Sequence, residues 1–76
     1  MQKISKKQFF TEFLASETDK VTIVNNEFVE VFIKKLKLDK EKHKKVKNKI
    51  GPHYYFNITS GEKFENDLKE FYAQNT

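Results

Sequence analysis

A change of hydrophobic period within residues 53–72 constrains this chain more than any other feature. Tyr54, Phe56 and Ile58 alternate with His53, Tyr55 and Asn57, the period-two pattern of a strand that buries one face, and Gly51-Pro52 marks a turn just before it. From Phe64 onward the period is 3.6: Phe64, Leu68, Phe71 and Tyr72 form one apolar stripe, while Glu62, Glu65, Lys69 and Glu70 lie off it. The spacing predicts a strand followed at once by an amphipathic helix. Two hydroxyls compete for the N-cap: Thr59 with Glu62 makes a capping box, and Ser60 is the plain alternative.

Upstream, Ser5 stands three residues before Gln8, a second capping box, and Ile4 and Phe9 occupy the two positions of a hydrophobic staple. Phe9, Phe10, Phe13 and Leu14 make the apolar face of that helix, which should fade near Ser16-Glu17. Val21-Thr22-Ile23-Val24 and Phe28-Val29-Glu30-Val31-Phe32-Ile33, joined through Asn25-Asn26, read as a hairpin of β-branched runs closed by residues that tolerate positive φ. Glu30 should face solvent or a partner, and the apolar residues around it imply that part of each sheet face is covered, one by the helices. Three strands suffice for a stable sheet. The expected architecture is a small α+β domain, α-β-β-(Lys-rich linker)-β-α, with an antiparallel-containing sheet packed against two helices.

A chain of 76 residues makes one domain and buries only about 60% of its unfolded surface. Eight Phe and three Tyr supply much of the small core, since large rings bury the most area per residue fixed. With no Cys, neither disulfides nor thiolate metal sites stabilise the fold, and composition leaves the redox compartment open. No apolar run reaches the length of a membrane span, and Met1-Gln2-Lys3 leads into a capped helix instead of a signal sequence, so the stretch reads as a soluble piece.

Charge is concentrated in one segment. Residues 34–50 hold nine Lys against Asp39 and Glu41, a net +7, whereas the remainder carries six Lys and nine acids, a net −3. Leu36, Leu38, Val46 and Ile50 are too sparse there for a firm apolar face, although Asp39 is placed to cap a short helix from Lys40 to about Lys47. The segment is expected to be a solvated, partly helical insertion between two strands. A functional alternative is a lysine patch for the phosphates of nucleic acid or of anionic lipid headgroups. All fifteen basic residues are Lys, so the bidentate forks that Arg places on phosphate or guanine are missing. That weighs against nucleic acid more than against lipid, which needs only point charges.

The catalytic inventory is short. Gly51 and Gly61, the only glycines, cannot build a phosphate-cradling loop. His43 and His53 fall in no metal-ligand spacing. His43, inside the lysine run, is expected to be exposed, and His53, beside Pro52 at the start of a strand, to serve at an edge or in a hydrogen bond. Nothing marks a nucleophile, so no catalytic, cofactor-binding or metal residue is assigned.

Two blocks of this sequence resemble the extracellular domain of FtsH-family proteases. Ile4-Ser5-Lys6-Lys7-Gln8-Phe9-Phe10-Thr11-Glu12-Phe13-Leu14, followed by Asp19 to Val31, is similar to that domain's "I-S/T-x-x-x-F … V-x-x-V-x-V-x-N-x-x-x-V-x-V" opening. Gly51-Pro52-His53-Tyr54-Tyr55-Phe56-Asn57-Ile58, then Ser60 and Phe64-Glu65-Asn66-Asp67-Leu68, is similar to its "(G-P-H)-x-x-F-x-I-G-S-x-x-x-F-E-x-x-L" run. The resemblance covers most of residues 4–72 and involves structural positions instead of catalytic ones. It departs in two places. Thr59 stands where Gly is usual, and the chain ends at Thr76, before the final strand that commonly precedes the second membrane helix, which would leave an unfinished sheet edge able to pair with a neighbouring chain.

The resemblance implies a non-catalytic domain between two transmembrane helices, facing the periplasm from a bacterial inner membrane or, alternatively, the intermembrane space from a mitochondrial inner membrane. The parent would be a homo-hexameric, ATP-dependent zinc metalloprotease that extracts and degrades membrane proteins, with stomatin- or prohibitin-like proteins as regulators. ATP and zinc would belong to other domains, because neither a Walker motif nor an HExxH helix occurs in these residues. The alternative from the residues alone is a free-standing binding module whose Lys-rich segment engages nucleic acid or anionic lipid.

Overall fold

Ser5 begins the first helix as expected: its backbone is extended and its Oγ accepts a hydrogen bond from Gln8 N–H at 2.9 Å. The computed structural model describes residues 1–74. A short helix, α1 (Lys6–Gln8), passes at once into a π-helical stretch, Phe9–Phe13, closed by Leu14 N–H donating to the Phe9 carbonyl at 2.9 Å. The expected plain α-helix is thus widened by one residue. The wider turn brings Leu14, five residues on, to the same side as Phe9 and Phe13, and all three are buried. The helix ends where its pattern fades, in turns through Glu17.

The chain then forms the hairpin β2 (Thr18–Val24) and β3 (Phe28–Ile33). Asn25 and Asn26 have φ of +52° and +57°, and Glu27 N–H donates to the Val24 carbonyl at 2.9 Å. Asparagine is among the few residues that accept this conformation without a large penalty. Strand β4 (Tyr54–Asn57) pairs antiparallel with β3, matching Val29 to Phe56 and Val31 to Tyr54. Helix α2 (Gly61–Gln74) follows.

One strand was not expected from the sequence. Strand β1 (Gln2–Lys3) pairs parallel with β4 and forms an edge, so the sheet has four strands in the order β1, β4, β3, β2. Two residues carry no readable period, which is why this strand leaves no mark in the hydropathy pattern. The architecture is an α+β domain with a mixed four-stranded sheet and two helices. The end of the chain at Asn75 and Thr76, to which the resemblance assigns a missing final strand, lies outside the described residues.

Both helices cover the same sheet face. Val29, Val31, Ile33, Tyr54 and Phe56 point into a core completed by Ile4, Phe9, Phe13, Leu14 and Phe64. Phe28, Glu30, Phe32 and Tyr55 occupy the opposite face and are half-buried, with Phe28 and Tyr55 meeting edge-on at 6.2 Å. Strand alternation explains the split: a row of β-branched residues faces the helices and a row of rings with one carboxylate faces out.

The N-terminus of α2 is set by contact with the hairpin turn. Ser60 Oγ accepts from Lys63 N–H at 3.3 Å, so of the two candidate caps it is Ser60 that acts. Gly61 N–H donates to the Asn26 side-chain carbonyl at 3.2 Å, and a Cβ at Gly61 would lie 2.4 Å from that oxygen and 3.2 Å from Ile23 Cγ2. Replacing Gly61 with Ala is expected to cost about 1 kcal/mol, because the Asn26 side chain must swing away and give up its hydrogen bond to Gly61 N–H. Urea denaturation checks this, and an unchanged midpoint would show that Asn26 swings aside without cost.

Candidate functional site

The Lys-rich segment is bound to the domain by one buried carboxylate. Glu17 follows the π-helical stretch and is 2% exposed. Its Oε1 accepts from His43 Nε2 at 2.5 Å, and its Oε2 receives Lys42 Nζ at 2.6 Å and Lys40 Nζ at 3.3 Å. Beyond the imidazole, His43 Nδ1 lies 2.7 Å from the Tyr54 hydroxyl, which also donates to the Lys42 carbonyl at 3.2 Å. The Phe13 ring packs against both partners, 5.3 Å from the imidazole and 4.9 Å from the Tyr54 ring. Every buried side-chain polar atom among the described residues has a partner.

This overturns the expectation that His43 is exposed, since its side chain is fully buried. The segment is likewise more than a solvated insertion: Val46 joins the core and Leu38 packs against it. The expected helix from Lys40 to Lys47 is replaced by 3₁₀ turns, Lys35–Lys37 and Glu41–His43, with further i to i+3 bonds from His43, Lys44 and Val46 N–H groups. Such turns put residues three apart on one side, so His43 and Val46 point inward together. Asp39 does not cap; it pairs with Lys47 at 2.9 Å.

Electrostatics at Glu17 are a contest that pairing wins. Burial would raise its carboxyl, but hydrogen bonds from Lys42, His43 and Lys40, with the Lys42 charge, outweigh burial and hold it at about 2, below the ordinary 4.5. Burial raises the Tyr54 hydroxyl, and the Glu17 charge adds to that shift. An acid, an imidazole and a hydroxyl in line suggest nucleophilic chemistry, yet Glu17, His43 and Tyr54 are each at most 2% exposed, so no substrate atom reaches them. Their arrangement is a latch.

His53 does what its position beside Pro52 implied. Its Nδ1 accepts from Ile33 N–H at 3.0 Å and its own N–H donates to the Val31 carbonyl at 2.9 Å, tying the end of the segment to β3. An acceptor nitrogen has to be unprotonated, and burial, chiefly, lowers the ring from its ordinary 6.5. A folded-state value below the unfolded one means stability that is complete above pH 6.5 and declines as pH falls below it. The thermal midpoint is expected to drop on acidification through this window in the native chain. In a His53→Gln variant, whose amide oxygen is a non-titrating acceptor, the drop should largely vanish, and an unchanged slope would assign it elsewhere.

The outer side of the segment is different in character. A shallow groove of about 510 Å³ runs along it, with Lys20, Lys35, Lys47 and Lys49 contributing its cations and Asp19 its one acid. Lys20 Nζ lies over the Phe32 ring at 4.6 Å. Among the described residues, Lys34, Lys35, Lys37, Lys45 and Lys49 form no ion pair. No group of three or more His, Cys, Asp or Glu side chains among the described residues is arranged to hold a metal ion. No helix of the described residues is long and apolar enough to cross a membrane.

Glu17 and Tyr54 were not singled out by sequence reading. Tyr54 was legible only as a core ring, and Glu17 is one acid beyond a helix end, with no pattern to announce a partner 26 residues away. Comparisons with protein-family models, with curated proteins and with solved structures found no match for this chain.

Proposed function

We propose that this chain is a non-catalytic, envelope-facing domain of an FtsH-type membrane-anchored ATP-dependent zinc metalloprotease, contributing to subunit association and to contacts with membrane-protein substrates or regulators. The observation that supports the reading is where the two resembling blocks fall. Ile4, Phe9, Val29 and Val31 from the first and Phe56 and Phe64 from the second belong to the core, and Ser5 and Ser60 are the two helix caps. A resemblance carried by core and cap positions concerns a scaffold. A scaffold whose most reactive side chains are sealed is suited to binding and association instead of chemistry.

In this reading the chain presents two surfaces for association: the half-buried sheet face around Phe28, Phe32 and Tyr55, and the free edge of β2. A bulge between Thr18 and Lys20 interrupts that edge at one end. The test is the reading frame on both sides of this segment in its source genome. The expected result is an apolar stretch of about twenty residues on each side, followed downstream by a Walker motif and an HExxH helix. A stop codon directly after Thr76, with no membrane segment upstream, overturns the reading.

A further inference from the structure

Two aliphatic side chains of the Lys-rich segment stand almost entirely in water, in a chain whose other aliphatic residues are largely used in the core. Leu36 is 91% exposed and Ile50 is 101% exposed. Each is raised on a tight backbone feature: Leu36 is the middle residue of the turn Lys35–Lys37, and Ile50 precedes Gly51, whose φ is +87°. Leu36 shares a depression with Lys35, Lys47 and Asn48, and the same three residues line the adjoining groove with Lys49 and Gly51. Lys49 in turn borders a third depression with Lys45 and with Met1, which is 53% exposed. Leu36 therefore borders a continuous basic surface, and Ile50 stands in the chain between Lys49 and Gly51, both of which line it.

The lysines of this segment divide by task. Lys40 and Lys42 neutralise Glu17, Lys44 pairs with Glu41, and Lys47 pairs with Asp39. Lys35, Lys45 and Lys49 are exposed and make no ion pair within the described residues. Of the acids lining these depressions, Asp39 is already held by Lys47 and Asp19 shares the groove with Lys20.

Unpaired ammonium groups beside exposed aliphatic tips match one kind of partner. Ammonium groups supply point charges for headgroup phosphates, their stems cover apolar ground, and Leu and Ile enter the boundary just below. Nucleic acid would call for stacking rings or guanidinium forks. The chain has no Arg, and Phe32, the ring bordering the groove, is covered by Lys20. We propose that the face carrying Leu36 and Ile50 docks onto an anionic phospholipid bilayer, with both side chains in the headgroup region and Lys35, Lys45 and Lys49 against lipid phosphates. The surface belongs to this chain whether or not membrane helices flank it, so the inference stands or falls apart from the protease reading.

Co-sedimentation with vesicles tests it, using an equal mixture of phosphatidylglycerol and phosphatidylcholine against phosphatidylcholine alone. Each lysine at an anionic surface strengthens binding about fivefold, so the mixed vesicles are expected to bind about a hundredfold more tightly, and less so as salt rises. K35Q/K45Q/K49Q should fall to the level of the neutral vesicles. K3Q/K7Q/K69Q, which removes three exposed lysines elsewhere, should stay much closer to the native chain. L36S/I50S should lose about tenfold while keeping its salt dependence. All five altered side chains of the docking face are exposed, and unchanged melting curves would verify folding. The proposal is overturned by equal or absent binding to both vesicles, by equal losses from the two lysine sets, by an L36S/I50S variant that binds like the native chain, or by tighter binding to a single-stranded oligonucleotide than to the mixed vesicles at the same salt.

Discussion

Replacing Glu17 with Ala is expected to lower the stability of the domain by about 3–5 kcal/mol, one of the two largest effects any single substitution should have here. The size follows from what remains behind. His43 is fully buried and would lose its carboxylate partner, while the half-exposed Lys40 and Lys42 can return to water. The lower end of the range is therefore expected. Acid should reproduce the effect in the native chain. Glu17 titrates at about 2 in the folded state against an ordinary 4.5, so its contribution is complete above pH 4.5 and is lost as pH falls toward 2. That shift corresponds to about 3 kcal/mol, in accord with the mutational figure. Urea denaturation between pH 5 and pH 2 should show a steep loss in the native chain and a much shallower one in Glu17→Ala. Parallel curves would show that other carboxylates carry the acid sensitivity.

Hydrogen exchange adds a spatial signature. The amides of His43 and Val46 bond only within the segment, to Lys40 and His43 carbonyls, so releasing the Glu17 latch should speed their exchange selectively. Strand β3, paired on both sides, should keep its protection relative to the global unfolding limit. The binding face would loosen before the domain does. A latch of this kind also gives part of the segment's charge a structural reason: two of its nine lysines serve Glu17 as counter-ions, Lys44 and Lys47 pair with Glu41 and Asp39, and the other five form no ion pair among the described residues.

What the sequence reveals and conceals here follows the range of each interaction. The switch of period at residues 53–72, the Ser5 cap and the Asn25-Asn26 turn are local, and each appears in the structure within a residue or two of its expected place. His53 was readable from its neighbour Pro52. His43 was not. It sits in the most charged stretch of the chain and is buried because Glu17 and Tyr54, 26 and 11 residues away, converge on it. Composition favours exposure for such a residue, and a long-range pair of hydrogen bonds reverses that. The parallel strand Gln2–Lys3 is hidden for a similar reason, since its pairing with β4 spans more than fifty residues. The exposed aliphatic tips, Leu36 and Ile50, looked in the sequence no different from Leu38 and Val46, the four being too sparse for a firm apolar face. Only the 3₁₀ geometry separates them from Leu38 and Val46, which turn inward.

Phe9→Ala is the other substitution expected to cost most, about 3–5 kcal/mol. Its ring lies 5.0 Å from Phe56 of β4, 6.1 Å from Phe64 of α2 and 5.1 Å from Phe10, so one side chain joins the sheet to both helices. Removing it leaves a cavity lined by three other rings in a core too small to close over it. A domain of this length has about 4–11 kcal/mol in total, so the variant should lose a large fraction of its stability. The contrast with Glu17→Ala is what makes the experiment informative. Loss of the latch should act first on residues 40–46, whereas loss of Phe9 should lower protection in β3, β4 and α2 together, because the cavity is shared by all three elements. Phe32→Ala is the control. That ring sits half-buried on the opposite sheet face under Lys20, and its removal should cost about 1 kcal/mol. If Phe32→Ala proved as damaging as Phe9→Ala, the open sheet face would have to be covered in solution, and self-association at that face would become the first thing to measure.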